Sequence, residues 1–202
     1  MKEDGFTPAE REHVQTVKQT LIRKIYDPIT GLRFAPFSNG NTSFADIARS
    51  DLFLSGGAIA SLLQGDEPKD LDIYSHVSLD GLFKTKLIAD YFNDIADIDD
   101  AYGESKVDGK IITPNAITMK SGVQFILMLS GTPAQIKKTF DFVHCTPHFS
   151  FADNKLYISK KQYDACVNKK LIVNNPTAVR DRRIEKFKQR GYILQLEQGV
   201  IS

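Results

Sequence analysis

Phe53-Leu54-Ser55-Gly56-Gly57-Ala58-Ile59-Ala60-Ser61-Leu62-Leu63-Gln64-Gly65, continuing through Asp66-Glu67-Pro68 into Lys69-Asp70-Leu71-Asp72-Ile73-Tyr74, is the stretch on which the reading of this chain turns. It reads as a short apolar strand, a Gly-Gly turn, a helix closed by Gly65, and a second apolar strand carrying two aspartates. The glycines let the backbone turn sharply and approach a ligand. The helix that follows begins with unsatisfied N–H groups and a positive dipole end, which suits a triphosphate. Side chains alternate across a strand, so Asp70 and Asp72 project from one face while Leu71 and Ile73 face the core. Two carboxylates ~4 Å apart repel by ~4 kcal/mol at an effective dielectric of 20, and a divalent ion between or beside them removes the conflict. Mg²⁺ is a hard ion suited to carboxylate and phosphate oxygens. In a two-metal arrangement, with ions ~3.5–4 Å apart, one would sit on the triphosphate and one on the attacking hydroxyl. Taken singly, Gly-Gly is a common turn and Asp-x-Asp commonly a solvated strand edge. Their joint spacing is what points to nucleotide transfer.

Leu54 to Tyr74 resembles the signature of the DNA polymerase β-type nucleotidyltransferase superfamily, and most of all the head domain of class II CCA-adding enzymes and bacterial poly(A) polymerases. The matching features are Leu54, Gly56-Gly57, the helix end Leu62-Leu63-Gln64-Gly65, and Asp70-Leu71-Asp72. The group often has an arginine and an aspartate early in the helix, where this chain has Ile59, Ala60 and Ser61. Residues 116–127 alternate and turn at Ser121-Gly122, which predicts a hairpin. In the superfamily a third carboxylate often follows such a turn, and the position here is the neutral Gln124. Phe140-Asp141-Phe142-Val143-His144-Cys145 resembles the group's Arg-Asp-Phe-Thr-h-Asn motif, which makes Asp141 either a third acidic group or a nucleotide contact. Residues 176–192 resemble its arginine-bearing helix. On one continuous helix Arg180, Arg183 and Phe187 share a face, which Arg190 extends by a turn. A solvated basic helix packed by Val179, Ile184 and Phe187 is the plainer account of the same run. Short heads with these later motifs resemble bacteriophage-encoded nucleotidyltransferase-like proteins.

The resemblance implies an α/β (α+β) fold, a mixed sheet with flanking helices and a C-terminal helical annex. It implies metal-dependent transfer of a nucleoside monophosphate from an NTP, ATP among them, to a hydroxyl on an RNA acceptor such as a tRNA-like end. Catalytic residues would be Asp70, Asp72 and Asp141, with Asp70 and Asp72 the ligands of Mg²⁺, or of Mn²⁺ in its place. Ser55, Gly56, Gly57, Arg180 and Arg183 would hold the nucleotide, and Asp141 is a candidate base. A protein or small-molecule acceptor, including toxin-type modification, and an inactive nucleotide-binding homologue are the alternatives; Gln124 in place of an acid favours the last. The neck, body and tail that select the base and grip tRNA in CCA-adding enzymes have no counterpart after Gly191, so CCA addition itself is not expected.

With 202 residues, 42% of them apolar, one domain can bury its own core. The expected division is a catalytic core over 27–158 and a basic helical part over 159–202. No run of eighteen apolar residues and no apolar leader is present, which predicts a soluble protein without membrane contact. Cys145 and Cys166 make no disulfide framework, so a reducing cytoplasm, that of a host if the chain is phage-encoded, is expected. His144-Cys145-Thr146-Pro147-His148 reads as a strand end rather than a metal cluster.

The net charge of +1 hides an uneven distribution. Residues 160–192 hold ten Lys or Arg against three acids, whereas residues 90–108 hold seven acids against Lys106. A basic third beside a phosphate site can steer a triphosphate or an RNA backbone. Thr7-Pro8-Ala9-Glu10 opens a first helix with Val14, Val17, Leu21 and Ile25 on one face. A loop over 27–42, short helices near 43–50 and 79–93, an acidic loop, a helix over 133–139, a strand at Asp141, a strand over 155–158 and helices from Lys160 onward complete the expectation, with helices on one side of the sheet.

Overall fold

The first helix, α1 (Pro8–Ile29), begins where its capping box sets it. The Thr7 N–H donates to Glu10 Oε2 at 2.9 Å and the Glu10 N–H to Thr7 Oγ1 at 3.3 Å, with Pro8 at the first helical position. Val17, Leu21 and Ile25 are buried and Val14 partly so, as the three-and-four spacing requires. The computed structural model describes residues 5–29, 52–76, 98–99, 104–107, 110–112, 115–118 and 122–195. Residues 27–29, expected in a loop, are the last turn of α1. The rest of that loop and the helices expected near 43–50 and 79–93 lie outside the described residues.

The chain continues through β1 (Leu52–Ser55), α2 (Gly57–Leu63), β2 (Leu71–Ser75), β3 (Ile98–Asp99), β4 (Glu104–Val107), β5 (Lys110–Ile112), β6 (Ala116–Thr118), β7 (Val123–Ser130), α3 (Pro133–Lys137), β8 (His148–Ser150) and β9 (Lys155–Tyr157). Then come α4 (Lys160–Val167), β10 (Lys170–Ile172), α5 (Asp181–Lys188) and β11 (Ile193–Gln195). Among the described residues β1 to β9 form one mixed sheet in the order β3-β4-β5-β6-β7-β2-β1-β8-β9, and β10 pairs with β11 in a separate parallel ribbon. β2 lies between antiparallel β1 and parallel β7, so its backbone is paired on both edges and its side chains are held in fixed register. The expected hairpin is present as β6–β7, with Thr118 opposite Gln124.

Leu54, Ile73, Val123, Phe125 and Phe149 turn to one face of the sheet and pack with α1, α2 and α4 residues such as Leu21, Ile59 and Cys166. Alternation sends Phe53 and Tyr74 to the other face, where Ile136 of α3 joins them. Helices therefore flank both faces, not one. A further cluster of Phe142, Leu171, Phe187 and Tyr192 packs the C-terminal helices and ribbon together.

Three expectations are corrected. The acidic stretch contains the strands β3 and β4, which pair antiparallel with each other and extend through β5 to β6; the charge density there masks the period-two alternation of Glu104-Ser105-Lys106-Val107. Asp141 stands on no strand. Its carboxylate accepts the Phe142 N–H at 3.0 Å, Phe142 makes a single bridge to Val173, and a 3₁₀ turn over Val143–Cys145 follows. The basic C-terminal part is not all helix, because Lys170–Ile172 and Ile193–Gln195 form the ribbon.

Candidate active site

The turn between β1 and α2 is built on Gly56, at φ 100° and ψ −157°, a backbone region that a residue with a Cβ adopts only under strain. A Cβ there would also come within 3.0 Å of Asp72 Oδ2. Gly56 brings the turn against the second aspartate, and its own N–H donates to the Cys145 carbonyl at 3.1 Å. A Cβ on Gly57 would meet nothing within 4 Å, and α2 begins with it. Ser55 is buried and its hydroxyl donates to the Pro147 carbonyl at 2.8 Å. That residue ties β1 to the segment entering β8 and lines no part of the cleft, whereas Ser61 of α2 does.

Asp70 and Asp72 precede and enter β2 on the face that also carries Tyr74, while Leu71 and Ile73 are buried behind them. Burial pushes the Asp72 carboxyl up to about 6, and the Asp70 carboxylate adds to the rise; Lys186 and Arg183 only partly offset it. Gln124 stands beside Asp72 in the parallel register of β7. Among the described residues no cluster of three or more His, Cys, Asp or Glu side chains could hold a metal. Asp66 and Glu67 line the cleft beside Asp70 and Asp72, whereas Gln124 does not.

The facing wall comes from α5. Arg183, Lys186 and Arg190 line the cleft with Phe187 among them, and the Arg183 and Arg190 guanidinium carbons lie 5.0 and 5.9 Å from its ring centre. Arg183 is fixed by Asp141, with Nε donating to Oδ2 at 2.7 Å and Nη2 to Oδ1 at 3.3 Å. Asp141 itself is buried and does not line the cleft. Arg180 precedes the helix as its N-cap, and its guanidinium donates to the Thr177 and Val179 carbonyls at 2.7 and 3.0 Å. It is not a cleft residue, because the helix begins one residue later than a continuous helix through 180 requires. Burial, then the charges of Arg183 and Arg190, lowers the Lys186 ammonium. The helical spacing from Arg183 pointed to Lys186 and Arg190, but sequence reading did not assign Lys186 to the site.

Together these walls enclose a cleft of about 450 Å³. Its closed end is braced by Gln64, whose amide donates to the Cys166 carbonyl at 2.7 Å and to the Tyr192 hydroxyl at 2.6 Å. His144 and Cys145 line the cleft as well. Burial pushes the Cys145 thiol up to about 12. His144 is fully buried with neither ring nitrogen paired among the described residues, packed 4.4 Å from Phe187 and 4.5 Å from Tyr192, and burial lowers it to about 3. No sequence signal exposed it. An unpaired buried polar group costs about 1–3 kcal/mol. His144→Leu is therefore expected to raise the melting temperature. The gain should widen as pH falls from 7 to 5, because over that range the unfolded wild-type imidazole takes a proton that the folded one cannot. Thermal melts at the two pH values check this; a gain that does not grow toward pH 5 counts against a buried neutral imidazole.

The model of the Gabija anti-defense 2 (Gad2) family matches residues 33–169 of the chain. The chain belongs to that family. The match takes in Gly56, Gly57, Asp70 and Asp72 and stops before α5, so the cationic wall of this Gad2-family chain lies beyond it. No curated protein matches. Among solved structures, the Thermotoga maritima CCA-adding enzyme complexed with tRNA CCA is similar with a TM-score of 0.55 and 15% identity, covering 91% of this chain and 42% of the enzyme. A CCA-adding enzyme in complex with ATP is similar with a TM-score of 0.54 and 16% identity, covering 92% and 42%. The fold is that of the polymerase β-type nucleotidyltransferases, as the motifs implied, and this chain spans about two fifths of the length of those enzymes. Among the described residues no helix is long and apolar enough to cross a membrane.

Proposed function

We propose that this chain is a metal-dependent nucleotidyltransferase that moves a nucleoside monophosphate from an NTP to a hydroxyl acceptor. The observation that carries the proposal is the pairing of walls in one cleft: Asp70 and Asp72 on one side, Arg183, Lys186 and Arg190 on the other, with the Gly56-Gly57 turn against Asp72. An anion chain capped by a hard cation is the ligand that satisfies both walls at once.

The residues present fit a divalent ion. The donors are oxygens on one face of a strand, and the high proton affinity of Asp72 is that of a partly buried carboxylate beside a second one, only partly offset by Lys186 and Arg183. Mg²⁺, or Mn²⁺, commonly takes one or two carboxylates and completes its shell with phosphate oxygens and water. Asp70 and Asp72 would hold it, and when bound it would neutralise phosphate charge and lower the pKa of the attacking hydroxyl. The chain's own part is positioning and charge. The first-turn amides of α2 from Gly57 onward meet the phosphates, while Arg183 and Arg190 offer planar forks to them and Lys186 a point charge. Arg183 holds its place through Asp141, which makes Asp141 a positioning residue rather than a base or a metal ligand. Because these groups are in place before the phosphate charge develops, they stabilise it without reorganising.

An RNA end is the first acceptor to test, since one similar enzyme was solved with tRNA. The family name favours a second reading, in which the acceptor is a protein or small molecule of a defence system. Both are decided by incubating the chain with each α-³²P-labelled NTP, Mg²⁺ or Mn²⁺, and total RNA or total protein, beside the Asp70→Asn, Asp72→Asn double variant. Label that appears on RNA or on protein and vanishes in the variant supports transfer and identifies the acceptor class. Metal-dependent NTP binding with no label on any acceptor favours an inactive nucleotide-binding homologue.

A further inference from the structure

Tyr74 stands on the same face of β2 as Asp72, one pleat or about 7 Å further along the strand. It is 5% exposed, and that exposure opens on the cleft it lines. Its ring is fixed, stacked on Phe53 at 5.7 Å between centres and met edge-on by Phe140 at 5.9 Å. The hydroxyl finds no hydrogen-bond partner among the described residues. A hydroxyl held rigidly at the cleft surface with no protein partner bonds water or a ligand group that displaces that water.

The chemistry of that occupant follows from the neighbours. Charged groups serve the phosphates elsewhere in the cleft, whereas Tyr74 and Phe140 form an uncharged aromatic stretch immediately past the second carboxylate. Resting on the nucleotidyltransferase reading above, the next group of an NTP beyond a phosphate held at Asp72 is the sugar. It is uncharged, with carbon faces suited to Phe140 and hydroxyls suited to a phenol. We propose that Tyr74 is a specificity-determining residue whose hydroxyl hydrogen-bonds a ribose hydroxyl of the bound NTP, so that the cleft selects ribonucleotides over their deoxy forms. No side chain but Tyr74 is required to change for the preference to be lost.

The test is equilibrium binding by calorimetry, with Ca²⁺ in place of Mg²⁺ to prevent turnover. It uses each of the four ribonucleoside triphosphates, then the 2′-deoxy and 3′-deoxy forms of the tightest binder, on wild type and on Tyr74→Phe, which keeps the ring packing. One hydrogen bond corresponds to a factor of about 2–10 in affinity. Wild type should bind one deoxy form weaker than the ribonucleotide by about that factor. Tyr74→Phe should bind the ribonucleotide as weakly as wild type binds that deoxy form, with its affinity for the deoxy form unchanged. Equal wild-type affinity for all three sugars, or a preference that survives in Tyr74→Phe, overturns the assignment of Tyr74 while leaving the nucleotide site intact. If none of the four triphosphates binds wild type, the nucleotidyltransferase reading fails and this inference fails with it. Far-UV dichroism and melting of Tyr74→Phe establish that the variant is folded.

Discussion

Asp72→Asn should abolish transfer and yet leave a more stable protein when metal is absent. The first effect, on the proposed function, is a loss of about a thousandfold or more in rate, because the carboxylate that would hold the metal on the phosphates is gone. The second has the opposite sign. Asp72 is pushed up to about 6 by burial and by Asp70, so the folded protein holds this group ionised at pH 8 against an unfavourable environment. A carboxylate with a raised folded pKa detracts from stability above that pKa, and the deficit disappears as pH falls through 6 toward the unfolded value near 4. Two pH units correspond to about 2–3 kcal/mol, or roughly 4–12 °C in melting temperature for a chain of this size. Melting curves of wild type and Asp72→Asn in EDTA should therefore separate at pH 8, with the variant higher, and converge at pH 4. Adding Mg²⁺ with an NTP should raise the wild-type curve and leave the variant unmoved. A variant that melts lower than wild type at pH 8 would show that Asp72 is compensated within the protein and has no need of a cation.

The same residues explain how far the sequence could be read. Period two in Asp70-Leu71-Asp72-Ile73-Tyr74 and the Gly-Gly turn are local rules, and they placed β1, β2, α2 and the facing of both aspartates without tertiary information. The hairpin signal at Ser121-Gly122 set β6 against β7, but the parallel pairing that puts Gln124 beside Asp72 joins strands far apart in sequence and has no local signal. Local rules fail where a side chain competes with the backbone. Asp141 lies in an apolar alternating run, but its carboxylate takes the Phe142 N–H and the strand does not form. Arg180 has the spacing of a helical face, yet it caps α5 from outside the helix, and its guanidinium turns back onto Thr177 and Val179. Ser55 was read from its place before the glycines, while its hydroxyl is claimed by a carbonyl 92 residues away in sequence. The ribbon β10–β11 joins segments of three residues each, too short to announce themselves as strands.

Asp141→Asn is expected to cost about 2–3 kcal/mol, lowering the melting temperature by roughly 4–12 °C, while leaving metal affinity at the Asp70–Asp72 pair unchanged. The carboxylate is 6% exposed and the Arg183 side chain 34% exposed, so removing the anion strands a partly desolvated guanidinium, with a cost below that of a fully buried pair. The fork also raises the Arg183 guanidinium further above its already high value, so the cation is permanent at any working pH. A base or a metal ligand at position 141 predicts something different: a changed pH–rate profile in the first case, weaker Mn²⁺ binding in the second. A residue that only positions Arg183 predicts weaker triphosphate binding with both of those unaltered. The double-mutant cycle with Arg183→Gln separates the accounts further. If Asp141 acts through Arg183, the double variant binds triphosphate no worse than Arg183→Gln alone, and its stability lies above the sum of the two losses. If the effects on binding instead add in full, Asp141 contacts the nucleotide in its own right, and the two arms of the fork serve separate ends.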